Sequence, residues 1–187
     1  MLVVCVYGLA NIIKKKYPKK KMKKLTYVVL ILLTFSSYGQ DVFEYEFDEN
    51  ISLNVLEETE EEDLPNGKYI RGTFENEVLT FSSSNKAKDK LAIINEEGLL
   101  KLFQGVKDGN LKSIKGKLIN EEIINVHDIK VSRFKIAFSL EGQNKIIESY
   151  VFVYKNIIYT LQFMNNESEF EKFNNFRKSL LDSINFN

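Results

Sequence analysis

The sequence predicts an α+β domain, a central antiparallel sheet flanked by helices, preceded by an N-terminal signal peptide. Several segments alternate apolar and polar residues between short polar turns, as antiparallel strands do. Two other segments carry apolar residues at three- and four-residue spacing, as amphipathic helices do. A cationic and then apolar stretch near the amino terminus is typical of a secretory leader.

Residues 22–39 contain the three parts of such a leader. Met22-Lys23-Lys24 is cationic, Leu25–Phe35 is apolar, and small residues stand at the −3 and −1 positions before Gln40. The apolar run is shorter than the roughly 20 residues that a spanning helix needs. We therefore expect cleavage before Gln40 and a periplasmic or extracellular protein. An uncleaved leader would instead anchor the chain to the membrane.

Residues 1–21 are interpreted as an over-extended gene start, with Met22 as the true initiator. Their apolar part is interrupted by Gly8 and Asn11, and a basic run follows from Lys14 to Lys21. The alternative is a basic arm that binds nucleic acid or a membrane surface.

Removing the leader changes the charge of the chain. Eight of the 26 basic residues lie before Gln40, whereas all 26 acidic residues follow it, so the mature chain is acidic. An acidic domain repels phosphate backbones, so nucleic acid is not an expected partner. The single cysteine, Cys5, leaves too, which removes disulfides and thiol chemistry. The remaining residues, 40–187, have the length of one domain.

The amino-terminal half of this domain is predicted to hold two strand pairs. Asp41–Phe47 and Ile51–Leu56 alternate around a short turn. Tyr69–Phe74 and Val78–Ser82 form a hairpin, and the polar segment Ser83–Asp89 is expected to be a loop.

A helix follows, with Asn95 as its N-cap. Its apolar face comprises Leu99, Leu102, Phe103 and Val106. Gly109 is expected to end it, as glycine commonly ends helices.

From Ser113 onward the pattern predicts strands again. One pair turns around Asn120–Glu122, and Ile129–Leu140 is a strand with a bulge near Ser132-Arg133, because its apolar residues change phase there. Lys145–Tyr154 and Ile157–Met164 form the clearest hairpin.

The chain ends in a second amphipathic helix. Asn166 and Glu169 have the spacing of a capping box. The apolar stripe that follows would pack on the sheet; it consists of Phe170, Phe173, Phe176, Leu180 and Ile184.

The acidic run Glu57–Asp63 is the one candidate metal site. Calcium takes six to eight oxygen ligands, but a good calcium loop also supplies a glycine for its bend. This run has none, so a solvated loop is the favoured interpretation. The alternative ligands are Glu57, Glu58, Glu60, Glu61, Glu62 and Asp63.

Catalytic motifs are not recognisable in the sequence. It contains neither Gly-x-Ser-x-Gly nor Gly-x-Gly-x-x-Gly. His127, the only histidine, is expected at a strand start or turn, on or near the surface. Tyr150, Tyr154 and Tyr159 would either form an exposed aromatic binding surface or, as we favour, pack under the helices.

The order of elements resembles the PsbP-like group, named for the extrinsic photosystem II protein, whose fold is shared with a Ran-binding nuclear import factor. The resemblance rests on the strand Ile157–Phe163, which leads directly into a terminal helix ending at Ser183-Ile184-Asn185-Phe186, and extends over most of residues 41–187. It implies an α/β/α sandwich and an exported or lumenal accessory domain. It carries no catalytic residue across, and the chain departs from the group in having no tryptophan.

These observations favour an exported, non-enzymatic domain that binds a protein or envelope partner without a cofactor. The alternatives are a small-ligand or calcium-binding periplasmic protein and, third, a hydrolase of unknown substrate.

Overall fold

The computed structural model describes residues 42–56 and 58–187. The predicted gene start (1–21), the predicted signal peptide (22–39) and Glu57 of the acidic run lie outside the described residues.

Strands dominate the described part of the chain. They are β1 (Val42–Glu46), β2 (Ile51–Leu56), β3 (Glu60–Leu64), β4 (Gly67–Phe74), β5 (Glu77–Ser84), β6 (Lys117–Val126), β7 (Ile129–Leu140), β8 (Gln143–Tyr154), β9 (Ile157–Asn166) and β10 (Asn185–Phe186). The helices are α1 (Lys88–Leu91), α2 (Glu96–Ile114) and α3 (Asn174–Asp182), with a 3₁₀ helix at Phe170–Phe173.

Seven strands form one large antiparallel sheet in the order β3-β4-β5-β9-β8-β7-β6. A smaller sheet has the order β1-β2-β10. Helix α2 packs on one face of the large sheet, and the small sheet and α3 pack on the other. The predicted α+β class, a central antiparallel sheet flanked by helices, is confirmed.

Strand β7 has buried side chains on both of its faces, and this explains its phase change. Val131 lies in the core shared with the small sheet, whereas Phe134 and Ile136 lie in the core under α2. The two sets therefore need no bulge, and the prediction of one near Ser132-Arg133 is wrong. The irregularity lies instead in β6, between Leu118 and Asn120.

Three predicted strand pairs, β1–β2, β4–β5 and β8–β9, are confirmed, and two of their turns have clear local causes. Lys155 and Asn156 both have positive φ, 44° and 64°, which gives a two-residue turn whose twist suits antiparallel strands. In the β1–β2 turn, the Asp48 carboxylate accepts hydrogen bonds from the backbone N–H groups of Asn50 and Ile51. It also accepts one from the Tyr159 hydroxyl on β9, at 2.8 Å, which ties the small sheet to the large one.

Three loop or turn predictions are wrong, and the first two share a reason. Most of the predicted loop Glu57–Asp63 is strand β3, the predicted turn Asn120–Glu122 lies within β6, and the predicted loop Ser83–Asp89 begins with the end of β5 and later enters α1. β3 and β6 are the two edges of the large sheet and are largely exposed. An edge strand needs a partner on one side only, so its polar side chains remain in water.

Helix α2 begins as predicted but ends later. The Asn95 side chain accepts a hydrogen bond from the Gly98 N–H at 2.9 Å, which confirms the N-cap. The helix continues through Gly109 to Ile114, where Lys115 adopts a left-handed conformation. The prediction that Gly109 ends it is wrong, because Leu111 and Ile114 continue its contact with the sheet.

Two glycines near this helix end should respond oppositely to alanine. A Cβ at Gly109 meets nothing within 4 Å, so Gly109→Ala should stabilise the protein by about 0.5–1 kcal/mol through helix propensity. A Cβ at Gly116 would lie 2.3 Å from Ile136 Cγ2, so Gly116→Ala should destabilise it by about 1–3 kcal/mol. Urea unfolding measures both. A loss of stability in Gly109→Ala would mean that the helix ends at this glycine after all.

The capping box predicted at Asn166 and Glu169 is wrong. Asn166 is the last residue of β9, where it pairs with Lys145 of β8. The 3₁₀ helix follows, and α3 starts at Asn174 without a side-chain cap. The predicted apolar stripe does pack on the core, with Phe176 its one half-buried member.

Candidate functional site

The described residues of the acidic run lie in a turn and on both faces of an edge strand. Glu58 lies in a turn, and Glu60, Glu61, Glu62 and Asp63 lie on β3, where alternate side chains point in opposite directions. The Glu61 carboxylate accepts a hydrogen bond from the Tyr45 hydroxyl and lies 2.9 Å from Lys68 Nζ. These two bonds hold the pKa of Glu61 below its usual value. Within residues 42–56 and 58–187, no three His, Cys, Asp or Glu side chains are grouped as metal ligands.

The geometry of β3 predicts that calcium leaves the stability of the protein unchanged. Six to eight oxygens must converge on the ion, whereas β3 spreads its carboxylates over two faces. We expect the same thermal unfolding midpoint in millimolar calcium and in EDTA. A midpoint that rises with calcium concentration would show a native-state site and contradict this expectation.

His127 lies where it was predicted, in the exposed turn between β6 and β7. Its φ is 52°, and its ring meets Phe186 edge-on with the centroids 5.9 Å apart. It lines a cavity of about 370 Å³ with Asp128 and with Asn185 of β10. The positive φ of His127 and its ring contact with Phe186 together define the conformation of this turn.

The three tyrosines are mainly packing residues, as favoured from the sequence. Tyr150 and Tyr159 are buried, and burial, with the nearby charge of Glu148, raises the pKa of Tyr150 to about 12. The Tyr154 hydroxyl donates a hydrogen bond to the backbone carbonyl of Asn187 at 2.8 Å.

A buried charged cluster, missed from the sequence, joins α3 to three adjacent strands. Arg177 is 2% exposed and its Nη1 donates a hydrogen bond to Glu77 Oε1 on β5, at 2.7 Å. Its Nε lies 3.4 Å from Glu148 Oε2 on β8. Asn165 on β9 donates to the other Glu77 oxygen, at 2.9 Å.

Further hydrogen bonds and a stacking contact surround Arg177 and Glu148. Arg177 Nη2 donates to the Phe170 carbonyl at 2.7 Å, and its guanidinium stacks 3.8 Å from the Phe170 ring centre. Glu148 also accepts two hydrogen bonds from Arg133, at 2.9 and 2.7 Å. Each carboxylate is thus bound to a cation, and the cluster positions α3 on the sheet. One feature of the sequence could have indicated that Arg177 is buried. It lies four residues after Phe173 and three before Leu180, on the same helical stripe as these buried residues.

The feature best suited to binding is a groove between α2 and β6, here called the α2–β6 groove. It has a volume of about 320 Å³. Leu100, Phe103 and Ile123 supply its apolar surface. Leu100 and Ile123 are 44% and 48% exposed although both are large and apolar, and Phe103 is buried at its base. No sequence pattern indicated this site, because Ile123 was expected beside a turn.

The charges in the α2–β6 groove are paired. Lys107 is buried to 5% exposure in the middle of α2, and its ammonium group binds the Glu121 carboxylate of β6. The neighbouring Glu122 carboxylate lies 2.7 Å from Arg133 Nη1. The groove therefore combines three apolar side chains with polar ones and with ion pairs that are already formed.

Among the residues that the structure describes, no helix combines the length and apolarity needed to cross a bilayer.

No protein-family model and no curated protein matches this chain. Several solved structures do match this chain in fold. Cyanobacterial PsbP (CyanoP) from Synechocystis superposes with a TM-score of 0.57 at 10% identity, over 81% of this chain and 96% of that chain. A Pseudomonas aeruginosa protein of unknown function gives a TM-score of 0.48 at 10% identity, over 76% and 94% of the two chains. LpqN of Mycobacterium tuberculosis, involved in cell envelope biogenesis, gives 0.44 at 11% identity, over 78% and 90%. The superposition on CyanoP confirms the resemblance found in the sequence at the level of the fold: the chain has the PsbP-like fold.

Proposed function

We propose that this chain is an exported, non-enzymatic accessory domain that binds a protein or envelope partner at the α2–β6 groove. The observation that carries the proposal is the groove itself. It combines exposed apolar side chains with ion pairs that need no further partner. Exposed apolar surface next to polar residues is typical of interaction sites.

Two further observations support the exported setting. The leader at residues 22–39 has the composition of a signal peptide. The fold is that of CyanoP, and the resemblance noted in the sequence associates this fold with exported and lumenal accessory domains. The fold by itself implies no activity, so the proposal depends on the groove.

Mass analysis of the mature protein from its own cells tests the export step. We expect the first residue to be Gln40, with the mass of either the free or the cyclised glutamine. A protein that keeps residues 22–39 would contradict cleavage and would favour a membrane anchor.

Site-specific photocrosslinking in the producing cells tests the binding step. A photoreactive residue in place of Leu100 should give one discrete adduct, because Leu100 borders the groove. The same residue in place of Ile93, which is exposed but does not line the groove, is the matched control. Equal adducts from both positions, or none from Leu100, would contradict the proposal.

A further inference from the structure

We infer that Asn66 is a site of spontaneous covalent modification, at which the side-chain amide is lost as ammonia and the residue becomes a mixture of aspartate and isoaspartate. The inference goes beyond the proposed function and is independent of the α2–β6 groove. Pro65 and Asn66 form the two-residue turn between β3 and β4, and Asn66 is exposed. Gly67 follows it, and this is the only Asn-Gly pair in the sequence.

The reaction consumes water and needs no other reactant. The backbone nitrogen of Gly67, after losing its proton to hydroxide, attacks the side-chain carbonyl carbon Cγ of Asn66. The new N–Cγ bond closes a succinimide ring, and the Cγ–Nδ2 bond breaks to release ammonia. Water then opens the ring and returns the proton to the nitrogen. Opening at Cγ gives aspartate, whereas opening at the backbone carbonyl carbon leaves the chain running through the side chain, as isoaspartate.

The fold requires a glycine at the attacking position. A Cβ on Gly67 would lie 2.0 Å from the backbone carbonyl oxygen of Ser83 on β5, so no larger residue fits there. A residue without a side chain leaves its nitrogen unhindered, and its backbone has the greatest conformational freedom. The close approach of β5 therefore keeps the least hindered backbone nitrogen directly after Asn66.

The turn opens without unfolding of the domain. Leu64 and Gly67 lie opposite each other across it, so the attacking nitrogen is released when the end of β3 separates from β4. β3 is an edge strand whose five residues are all exposed, and such segments open locally at low free-energy cost. The bonds of Glu61 to Tyr45 and Lys68 hold the middle of β3, which confines the opening to the turn.

The pair Asp108-Gly109 in α2 shows how the fold suppresses the same chemistry elsewhere. Both residues are exposed, as Asn66 is, but they lie within a helix of 19 residues. A backbone N–H inside a helix is bonded to the carbonyl four residues earlier, which fixes its nitrogen. We therefore expect an Asn-Gly pair to react in the β3–β4 turn and to stay intact in α2.

The product should loosen the end of β3. The backbone carbonyl of Asn66 accepts a hydrogen bond from the Asn85 N–H, at 2.8 Å. In isoaspartate this carbonyl becomes a free carboxylate and the chain is one carbon longer, so the present geometry of the turn and of this bond is lost. The new negative charge also lies three residues after Asp63, beside the carboxylates of β3, and like charges repel.

Mass spectrometry of the purified protein after incubation at mildly alkaline pH tests the site. We expect a mass gain equal to the difference between an OH and an NH₂ group, confined to the peptide that contains Asn66. Its rate should rise with hydroxide concentration, and an isoaspartate-specific methyltransferase should label the same peptide. Asn66→Gln should show neither change over the same period, because the larger ring forms much more slowly.

Asp108→Asn supplies the matched control, since it gives α2 an exposed Asn-Gly pair of its own. In the native variant only the Asn66 peptide should change, whereas in urea both peptides should change at similar rates. Equal modification of the two pairs in the native variant would overturn the inference. So would an Asn66 that reacts in urea but stays intact in the native protein, or equal modification of other asparagines.

Amide hydrogen exchange tests the effect on β3. The modified protein carries one more negative charge and separates from the unmodified protein by ion exchange. It should exchange faster within Glu60–Leu64. Asn66→Asp adds the charge without lengthening the chain, so its increase should be smaller. Unchanged exchange in the modified protein would contradict the loosening of β3.

Discussion

Replacing Arg177 by alanine is expected to lower the free energy of unfolding by about 3–5 kcal/mol, among the largest effects of any single substitution in this protein. Arg177 is 2% exposed, and its guanidinium lies between Glu77 and Glu148, which are also buried. Removing the cation leaves Glu77 with Asn165 as its remaining partner, and an uncompensated buried charge is costly. Urea unfolding monitored by circular dichroism measures the loss.

The neighbouring Lys178 provides the control. It is an exposed cation on the same helix, so Lys178→Ala should change stability by no more than about 0.5 kcal/mol. A double-mutant cycle with Glu77→Gln should show coupling, because the second substitution removes the charge that the first leaves unpaired. Additive effects of the two substitutions would mean that Arg177 and Glu77 do not interact as the structure shows.

Phe81→Ala is the second large expected effect, a loss of about 3–5 kcal/mol. Phe81 is fully buried on β5, where its ring lies 4.5 Å from Phe47 and 5.9 Å from Tyr159, measured between centroids. Phe47 follows β1 of the small sheet, so Phe81 packs across both sheets. The cavity left by alanine would remove contacts on both sides of this junction.

Phe43 is the matched control for Phe81. It is a phenylalanine on β1 that is 45% exposed, so Phe43→Ala should lose much less stability than Phe81→Ala. Similar losses in the two variants would show that the ring of Phe81 is not buried between the sheets.

Interior elements were predicted from the sequence more reliably than edge elements. The β8–β9 hairpin and the apolar face of α2 were recognised because they combine strong periodicity with clear turn or cap residues. β3 was missed because Glu60–Asp63 carries four consecutive carboxylates, a pattern more typical of a loop. The end of α2 was misplaced because Gly109 weakens a helix only slightly, while Leu111 and Ile114 add contacts beyond it.

The candidate site was less accessible to sequence reasoning than the fold. Leu100 and Ile123 are unremarkable apolar residues in the sequence, and Lys107 is one of many lysines. Their significance depends on the pairing of β6 with β7, which places Ile123 and Glu121 under α2. The acidic run drew attention as a metal site, yet the structure uses Glu61 to bind Tyr45 and Lys68.

By itself the sequence determined the fold class, three of the strand pairs and the presence of two amphipathic helices, because these follow from local periodicity and turn chemistry. It also supplies the prediction of export, which depends on composition within residues 22–39 alone. The tertiary structure decided which strands are edges, which charges are buried and where apolar side chains stay exposed. These properties depend on contacts between distant residues, such as Glu77 with Arg177 and Lys107 with Glu121, that no local pattern encodes.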